Sequence, residues 1–225
     1  MNTPTNTGKL VGTLFLTAMF ASLFGGGLVE SILSAPDVLS ALRENQTLVT
    51  TGALFELVNA IAVIGIGVFM FPVLKQHSEN LARGYFAIRV LEAVFCSLIV
   101  ISPLSLITLS QELGTVDAAY LQAASALSLA ERARVMGLLI PLFFSLGALL
   151  LYTALYQAKL LPRFISIWGF VAAVFILINN LLLTFQVEVG LAVSLVLVLP
   201  IITNEVFLGI WLIVKGFNPI FIQSK

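Results

Sequence analysis

The sequence predicts an all-α, polytopic membrane protein that folds as a bundle of six transmembrane helices. Of its 225 residues, 60% are hydrophobic and only 10% are charged, with a mean hydropathy of +1.09. A soluble domain carries roughly 25% charged residues. The apolar residues also gather into six stretches, each near the ~20 residues that a helix needs to cross a bilayer. This apolar excess can face lipid tails, whereas a soluble fold of this length has too little interior to hide it.

The six stretches follow one another with two longer connections. Residues 34–48 form a polar loop. Residues 110–134 are rich in Ala and Leu but too interrupted to span, so they predict a short extracytoplasmic amphipathic helix before the fourth span. We therefore expect a single transmembrane domain over residues 1–225. Its spans lie near residues 10–33, 49–71, 85–109, 135–156, 164–185 and 191–214.

Lysine and arginine are distributed unevenly between the two ends of this bundle. The end that carries both termini has seven of them, and the opposite end has three. Because basic residues concentrate on the cytoplasmic side, both termini are expected to be cytoplasmic. The seven are Lys9, Lys75, Arg83, Lys159, Arg163, Lys215 and Lys225, and the three are Arg43, Arg132 and Arg134.

Composition and motifs exclude several function classes. The net charge is zero, so the chain lacks the basic face that nucleic acid requires. The single histidine, His77, excludes a multi-histidine zinc or haem site, and the single cysteine, Cys96, excludes an internal disulfide. There is no Gly-rich phosphate loop, no H-E-x-x-H and no G-x-S-x-G. The sequence therefore assigns no catalytic residue, no metal and no cofactor.

Polar residues inside the spans mark the candidate site. A charge inside a span costs at least ~2.5–3.5 kcal/mol on insertion, so such side chains normally face the bundle interior and are functional by default. Arg89 and Glu92 are spaced i, i+3 on one helix face, where they can interact. The helical rise places Glu205 in the same layer and Glu56 in a layer further from the termini. The candidate ligand-binding residues are Glu56, Asn59, Arg89, Glu92, Asn180, Asn204 and Glu205.

These residues also allow a purely structural interpretation. A buried Arg89–Glu92 pair can simply hold helices together, and Asn180 favours a hydrogen bond between helices. For Glu56 and Glu205 a functional role is the preferred interpretation, because neither has a charge partner on its own helix. Three carboxyls facing one guanidinium would be net negative in a low-dielectric medium, so we hypothesise that at least one of them, and Glu56 in particular, is protonated near pH 7.

Three stretches resemble one family of bacterial membrane proteins. They are FAIRVLEAVF at 86–95, LLPRFISIWGF at 160–170 and NEVFLGIWLIVKGF at 204–217. In this order they are similar to the domain-of-unknown-function 4386 family, and the six-span layout of the whole chain resembles that family as well. The resemblance implies a small six-helix protein of the bacterial inner membrane and implies no activity.

The leading hypothesis is a protein that binds or transports a small ligand or a proton through the intramembrane Arg/Glu/Asn cluster. A membrane enzyme acting on a lipid or a quinone is one alternative, and a scaffold or signalling subunit is another. The expected partners are the lipid bilayer and a small-molecule or lipid ligand, with no nucleic acid. Six spans suit either a complete bundle or half of a homodimer, and both alternatives stay open.

Overall fold

The computed structural model describes residues 4–218, which are almost entirely helical and contain no strand. Nine α-helices follow one another, and a π-helical turn, Val135–Leu139, joins the sixth to the seventh. The α-helices are α1 Pro4–Leu33, α2 Val38–Glu44, α3 Gln46–Lys75, α4 Glu79–Leu98, α5 Ile101–Gln111, α6 Ala118–Arg134, α7 Ile140–Ala158, α8 Arg163–Thr184 and α9 Leu191–Val214.

Six helical segments are long and apolar enough to cross a membrane, and each overlaps one predicted span. α1, α3, α8 and α9 each form one such segment. The third combines α4 and α5 over Glu79–Gln111, and the fourth combines α6, the π turn and α7 over Ala118–Ala158. The predicted fold class, an all-α bundle of six membrane-spanning helices, is therefore confirmed.

The first four segments are longer than a bilayer requires. The fourth has 41 residues, which at 1.5 Å per residue is about 61 Å, about twice the ~30 Å hydrocarbon core. A helix does cover most of residues 110–134, but α6 runs on through the π turn into α7. Its predicted position on the membrane surface stays a prediction.

A second, smaller core lies at the end of the bundle away from the termini, which we call the distal end. There α2 packs on α5, and α5 packs on α6. Val29, Leu42, Val49 and Leu106 are fully buried together. The extra length of the first four segments thus forms a helical cap over the distal end.

The six spans close into a ring. α1 packs on α3, α3 on α4, α4 on α7, α7 on α8, α8 on α9, and α9 again on α1. Glycine permits the closest approach in the α1–α9 contact, since a Cβ on Gly12 would lie 2.5 Å from the Gly209 carbonyl oxygen. Near the termini, Gly8 meets Gly216. The first and last spans are therefore neighbours, and their terminal ends lie on the same side.

Two prolines mark the irregular points of the ring. Pro103 follows the break between α4 and α5, and it has no N–H to donate to the Ile99 carbonyl one turn earlier. Pro141 follows the π turn, where the Ile140 N–H reaches back five residues to the Val135 carbonyl. Both irregularities leave backbone groups that need partners from other helices.

Candidate functional site

A cavity of about 260 Å³ lies inside the ring and is bordered by residues from all six spans. Its polar wall consists of Asn59 from α3, Arg89 and Glu92 from α4, and Glu205 from α9. Apolar side chains form most of the remainder. They include Phe15, Val63, Ile66, Phe144, Ile176 and Ile201. Four of the seven predicted site residues thus meet at one cavity.

Arg89 and Glu92 form the ion pair that their spacing predicts. Arg89 Nη1 donates to both carboxylate oxygens of Glu92, at 2.9 and 2.7 Å, and Arg89 Nε donates to the Tyr85 hydroxyl at 3.0 Å. Both side chains are buried. The guanidinium carbon also lies 5.7 Å from the centre of the Phe15 ring, within the range of a cation–π contact. The guanidinium is therefore held from several directions and cannot easily change position.

Glu205 differs from Glu92 in having no partner. It lines the cavity from α9 and is only partly buried. Among the described residues, no side chain forms a hydrogen bond or an ion pair with its carboxyl. The charges of Arg89 and Glu92 act on it from further away. Glu205 is therefore the carboxyl at this cavity that has no partner among the described residues.

Glu56 lies elsewhere, at the distal end, against Arg132, an arginine that the sequence analysis placed in the extracytoplasmic amphipathic helix. Arg132 Nη2 and Nη1 donate to the two carboxylate oxygens of Glu56, at 2.5 and 3.2 Å. Arg132 Nε donates to Glu30 at 2.8 Å. The side chains of Glu56 and Arg132 are both only 3% exposed, whereas that of Glu30 is 48% exposed. Arg132 thus joins α6 to α1 and α3.

Arg132 also donates a hydrogen bond to the backbone at the break between α4 and α5. Its Nη1 donates to the Ile99 carbonyl oxygen at 2.8 Å. That oxygen is the one that Pro103 leaves without a helical donor. A single guanidinium therefore donates to two carboxylates and to one carbonyl that lacks a helical donor. We call Arg132, Glu56, Glu30 and the Ile99 carbonyl the distal cluster.

The distal cluster corrects the predicted charge count. The hypothesis of a proton on Glu56 assumed one guanidinium for three carboxyls. Because Arg132 is a second buried guanidinium and pairs directly with Glu56, no proton on Glu56 is needed to balance its charge. One sequence signal bears on Arg132: in a helix, Arg132 and Arg134 point about 200° apart, so the two side chains face opposite sides of α6.

Two of the three predicted asparagines, Asn180 and Asn204, join helices and do not line the cavity. Asn180 Nδ2 donates to the Leu138 carbonyl in the π turn at 3.3 Å, so α8 supplies a donor beside Pro141. Asn204 Nδ2 donates to the Ile165 carbonyl of α8 at 3.2 Å. The structure confirms the expected hydrogen bond between helices for Asn180 and removes both asparagines from the cavity wall.

The cavity reaches the surface of the bundle beside α1. Ser22 and Leu23 border it and are also exposed, Leu23 to 61%. On α9, Val198 borders the cavity, and its neighbours Val196 and Leu199 are exposed. The cavity is therefore not enclosed on this side of the bundle.

Comparison with known proteins agrees with the resemblance seen in the three sequence stretches. A family model described as a domain of unknown function (DUF4386) matches residues 10–216. Searches of curated proteins and of solved structures returned no match. The match includes Asn59, Arg89, Glu92 and Glu205 at the cavity as well as the distal cluster. Since it covers far more than half of the chain, this multi-pass membrane protein belongs to the DUF4386 family.

Proposed function

We propose that this protein binds a small ligand or a proton in its central cavity and transports it across a bacterial inner membrane. One observation carries the proposal. A cavity bordered by all six spans brings together a fixed guanidinium, its paired carboxylate and a carboxyl without a partner. Intramembrane ionisable groups that face a cavity are typical of substrate and proton pathways.

The cavity volume favours a small ligand over a lipid. An apolar cavity of about 150 Å³ can hold benzene, whereas drug-sized ligands occupy sites of about 300–1,000 Å³. At about 260 Å³, the cavity suits a molecule somewhat larger than benzene. Its mostly apolar walls would surround the body of such a molecule, and the polar wall would orient it.

The two halves of the polar wall have different roles in this proposal. Arg89 and Glu92 neutralise each other and act as a fixed scaffold, with Tyr85 holding the guanidinium in place. Glu205 binds and releases the ligand or the proton, because no described side chain pairs with its carboxyl. Asn59 adds an amide that can donate to or accept from the ligand.

The distribution of basic residues supports cytoplasmic termini. Arg132 was counted on the distal side, but it is buried in the distal cluster. Only Arg43 and Arg134 then remain as exposed basic residues at that end, against seven in the sequence at the end of the termini. This stronger bias fits a distal end that faces away from the cytoplasm.

Native mass spectrometry of protein extracted gently from its own membrane tests the proposal. We expect a small molecule bound in a 1:1 ratio to the wild type and lost in Glu205→Gln. Glu188→Gln, in the loop between α8 and α9, is the matched control and should retain it. If the wild type and the control are both free of ligand while all three proteins are folded, the proposal of a small ligand fails. If, in addition, the wild type in proteoliposomes takes up no more protons than Glu205→Gln does, the proposal of a proton fails as well and the scaffold hypothesis gains.

A second function is favoured by the opening beside α1. An enzyme acting on a lipid or a quinone would need such a lateral entrance, with Glu92 or Glu205 as the acid or base. Turnover of membrane lipids by the pure protein, abolished in Glu92→Gln but not in Glu188→Gln, would establish this alternative.

A further inference from the structure

The charges at the central cavity do not balance. Arg89 contributes one positive charge, while Glu92 and Glu205 together contribute two negative charges when both are ionised. Glu92 already pairs with Arg89, whose Nη1 donates to both of its carboxylate oxygens. A single uncompensated carboxylate among mostly apolar walls is strongly disfavoured. Glu205 therefore needs either a proton or a positive charge that comes from outside the chain.

The groups around Glu205 do not supply that charge. From α4 the nearby groups are Tyr85, Arg89, Glu92 and the cavity-lining Cys96, and from α7 the nearby group is Tyr152. The tyrosines and the cysteine are neutral in their usual state. The cavity-lining residues of α1 and α8 are not ionisable; Ser22 is the polar one among them. α3 contributes the neutral Asn59.

The shape and lining of the cavity indicate what kind of cation fits. An inorganic ion such as Mg²⁺ or Ca²⁺ takes about six to eight oxygen ligands. This cavity offers the Glu205 carboxyl, the Asn59 amide and the Ser22 hydroxyl among mostly apolar walls. An ammonium group on an apolar body matches it better, since Glu205 can receive the ammonium while Phe144 and the aliphatic side chains enclose the body.

We propose that the cavity ligand is a small organic cation, a protonated amine with an apolar body, that binds at Glu205 in exchange for a proton. This inference rests on the proposed function and names its substrate class. The exchange balances: the neutral Glu205 carboxyl releases one proton, and the carboxylate then pairs with one ammonium group. The cavity has the same total charge before and after, so neither state holds an uncompensated charge.

Exchange of this kind links binding to pH and to transport. A low pH on one side of the membrane protonates Glu205 and releases the amine, while a higher pH on the other side favours its capture. The Arg89–Glu92 pair keeps its charges in both states because each group has its partner. Glu205 alone would thus couple an outward or inward flow of amine to an opposite flow of protons.

Three probes of one size separate the ligand classes. Benzylamine, benzyl alcohol and benzoate carry positive, neutral and negative groups on the same ring. Calorimetry on the full-length protein in detergent, repeated in buffers of different ionisation enthalpy, measures both the affinity and the protons released. We expect benzylamine to bind the wild type at least about tenfold more tightly than the other two, with release of up to one proton.

Variants connect the binding to the carboxyl. Glu205→Gln should abolish the preference for benzylamine, and Glu205→Asp, which keeps the charge, should retain it. Glu188→Gln should behave as the wild type. Loss in Glu205→Gln with retention in Glu205→Asp also shows that the fold tolerates a change at this position.

Two results would overturn the inference. Tighter binding of benzoate than of benzylamine, lost in Arg89→Gln, would make the ligand an anion. The absence of any benzylamine binding to the wild type at millimolar concentration would also reject a cation site. Neither result decides the proposed function, because a neutral or anionic molecule found bound in the native mass spectrum would sustain it.

Discussion

Arg132→Gln should strongly destabilise the protein, because this side chain satisfies most of the distal cluster. The substitution leaves the carboxylate of Glu56 buried without a counter-charge and the Ile99 carbonyl without a donor. Glutamine is shorter and uncharged, so it cannot replace four hydrogen bonds to three partners. The effect should appear in stability, since neither Arg132 nor Glu56 borders the central cavity.

The magnitude follows from the burial of the two partners. Both side chains are only 3% exposed, and removing one member of a buried ion pair costs about 3–5 kcal/mol. The half-exposed Glu30 adds little, because exposed pairs contribute about 0–1 kcal/mol. For a chain of this size each kcal/mol corresponds to roughly 2–4 °C, so the expected fall in Tm is about 6–20 °C.

Differential scanning fluorimetry in one detergent measures the shift. Arg134→Gln is the matched control, because Arg134 lies two residues further along α6, is exposed and has no ion pair with the described residues. Adding Glu56→Gln to Arg132→Gln should recover part of the loss, since no unpaired charge then remains buried. A Tm for Arg132→Gln within about 2 °C of that of Arg134→Gln would refute the role assigned to the distal cluster.

Two further substitutions test the packing of the ring through the same melting measurement. Gly169→Ala should lower stability by about 1–3 kcal/mol, because the new methyl group would overlap the buried ring of Tyr152. Gly27→Ala is its control; it meets nothing within 4 Å, and an unchanged or higher Tm is expected. Asn180→Leu should cost about 1 kcal/mol, because the Leu138 carbonyl loses its donor. A rise in Tm for Asn180→Leu would contradict that role.

The features that sequence reasoning predicted are those that depend on nearby residues. Span positions follow from the local apolar content of about 20 residues, which is the quantity that a bilayer selects. The Arg89–Glu92 pair follows from spacing within one helix. The high cost of an intramembrane charge identified Glu205 as well, and the structure places it at the same cavity.

The distal cluster could not be predicted in the same way. Arg132 is separated from Glu56 by 76 positions and from Glu30 by 102, so no local pattern relates them. The interrupted hydropathy of residues 110–134 also predicted a short amphipathic helix at the membrane surface. In the structure these interruptions belong to a helix that extends beyond the length of a bilayer, where polar residues need not face lipid. Which intramembrane charges pair with one another thus depends on how distant helices pack in the ring, and no local sequence pattern shows that packing.

Pro103→Ala tests whether Arg132 compensates for the proline. Alanine restores an N–H one turn after the Ile99 carbonyl, so the backbone can supply the hydrogen bond that Arg132 Nη1 donates in the wild type. In the wild-type background the guanidinium already supplies this hydrogen bond to the Ile99 carbonyl, so the additional backbone N–H should change stability little. In the Arg132→Gln background the carbonyl has no donor among the described side chains, so Pro103→Ala should recover about 1 kcal/mol.

The coupling between the two substitutions is the decisive quantity. A double-mutant cycle of Pro103→Ala and Arg132→Gln measures the interaction free energy between the two substitutions. The loss of the proline ring and the loss of the Glu56 pair contribute equally with and without the other substitution, so both cancel. A stabilising interaction of about 1 kcal/mol means that the guanidinium and the missing N–H serve the same oxygen. Equal effects of Pro103→Ala in both backgrounds would show that they do not, and Arg132 would then act through its carboxylates alone.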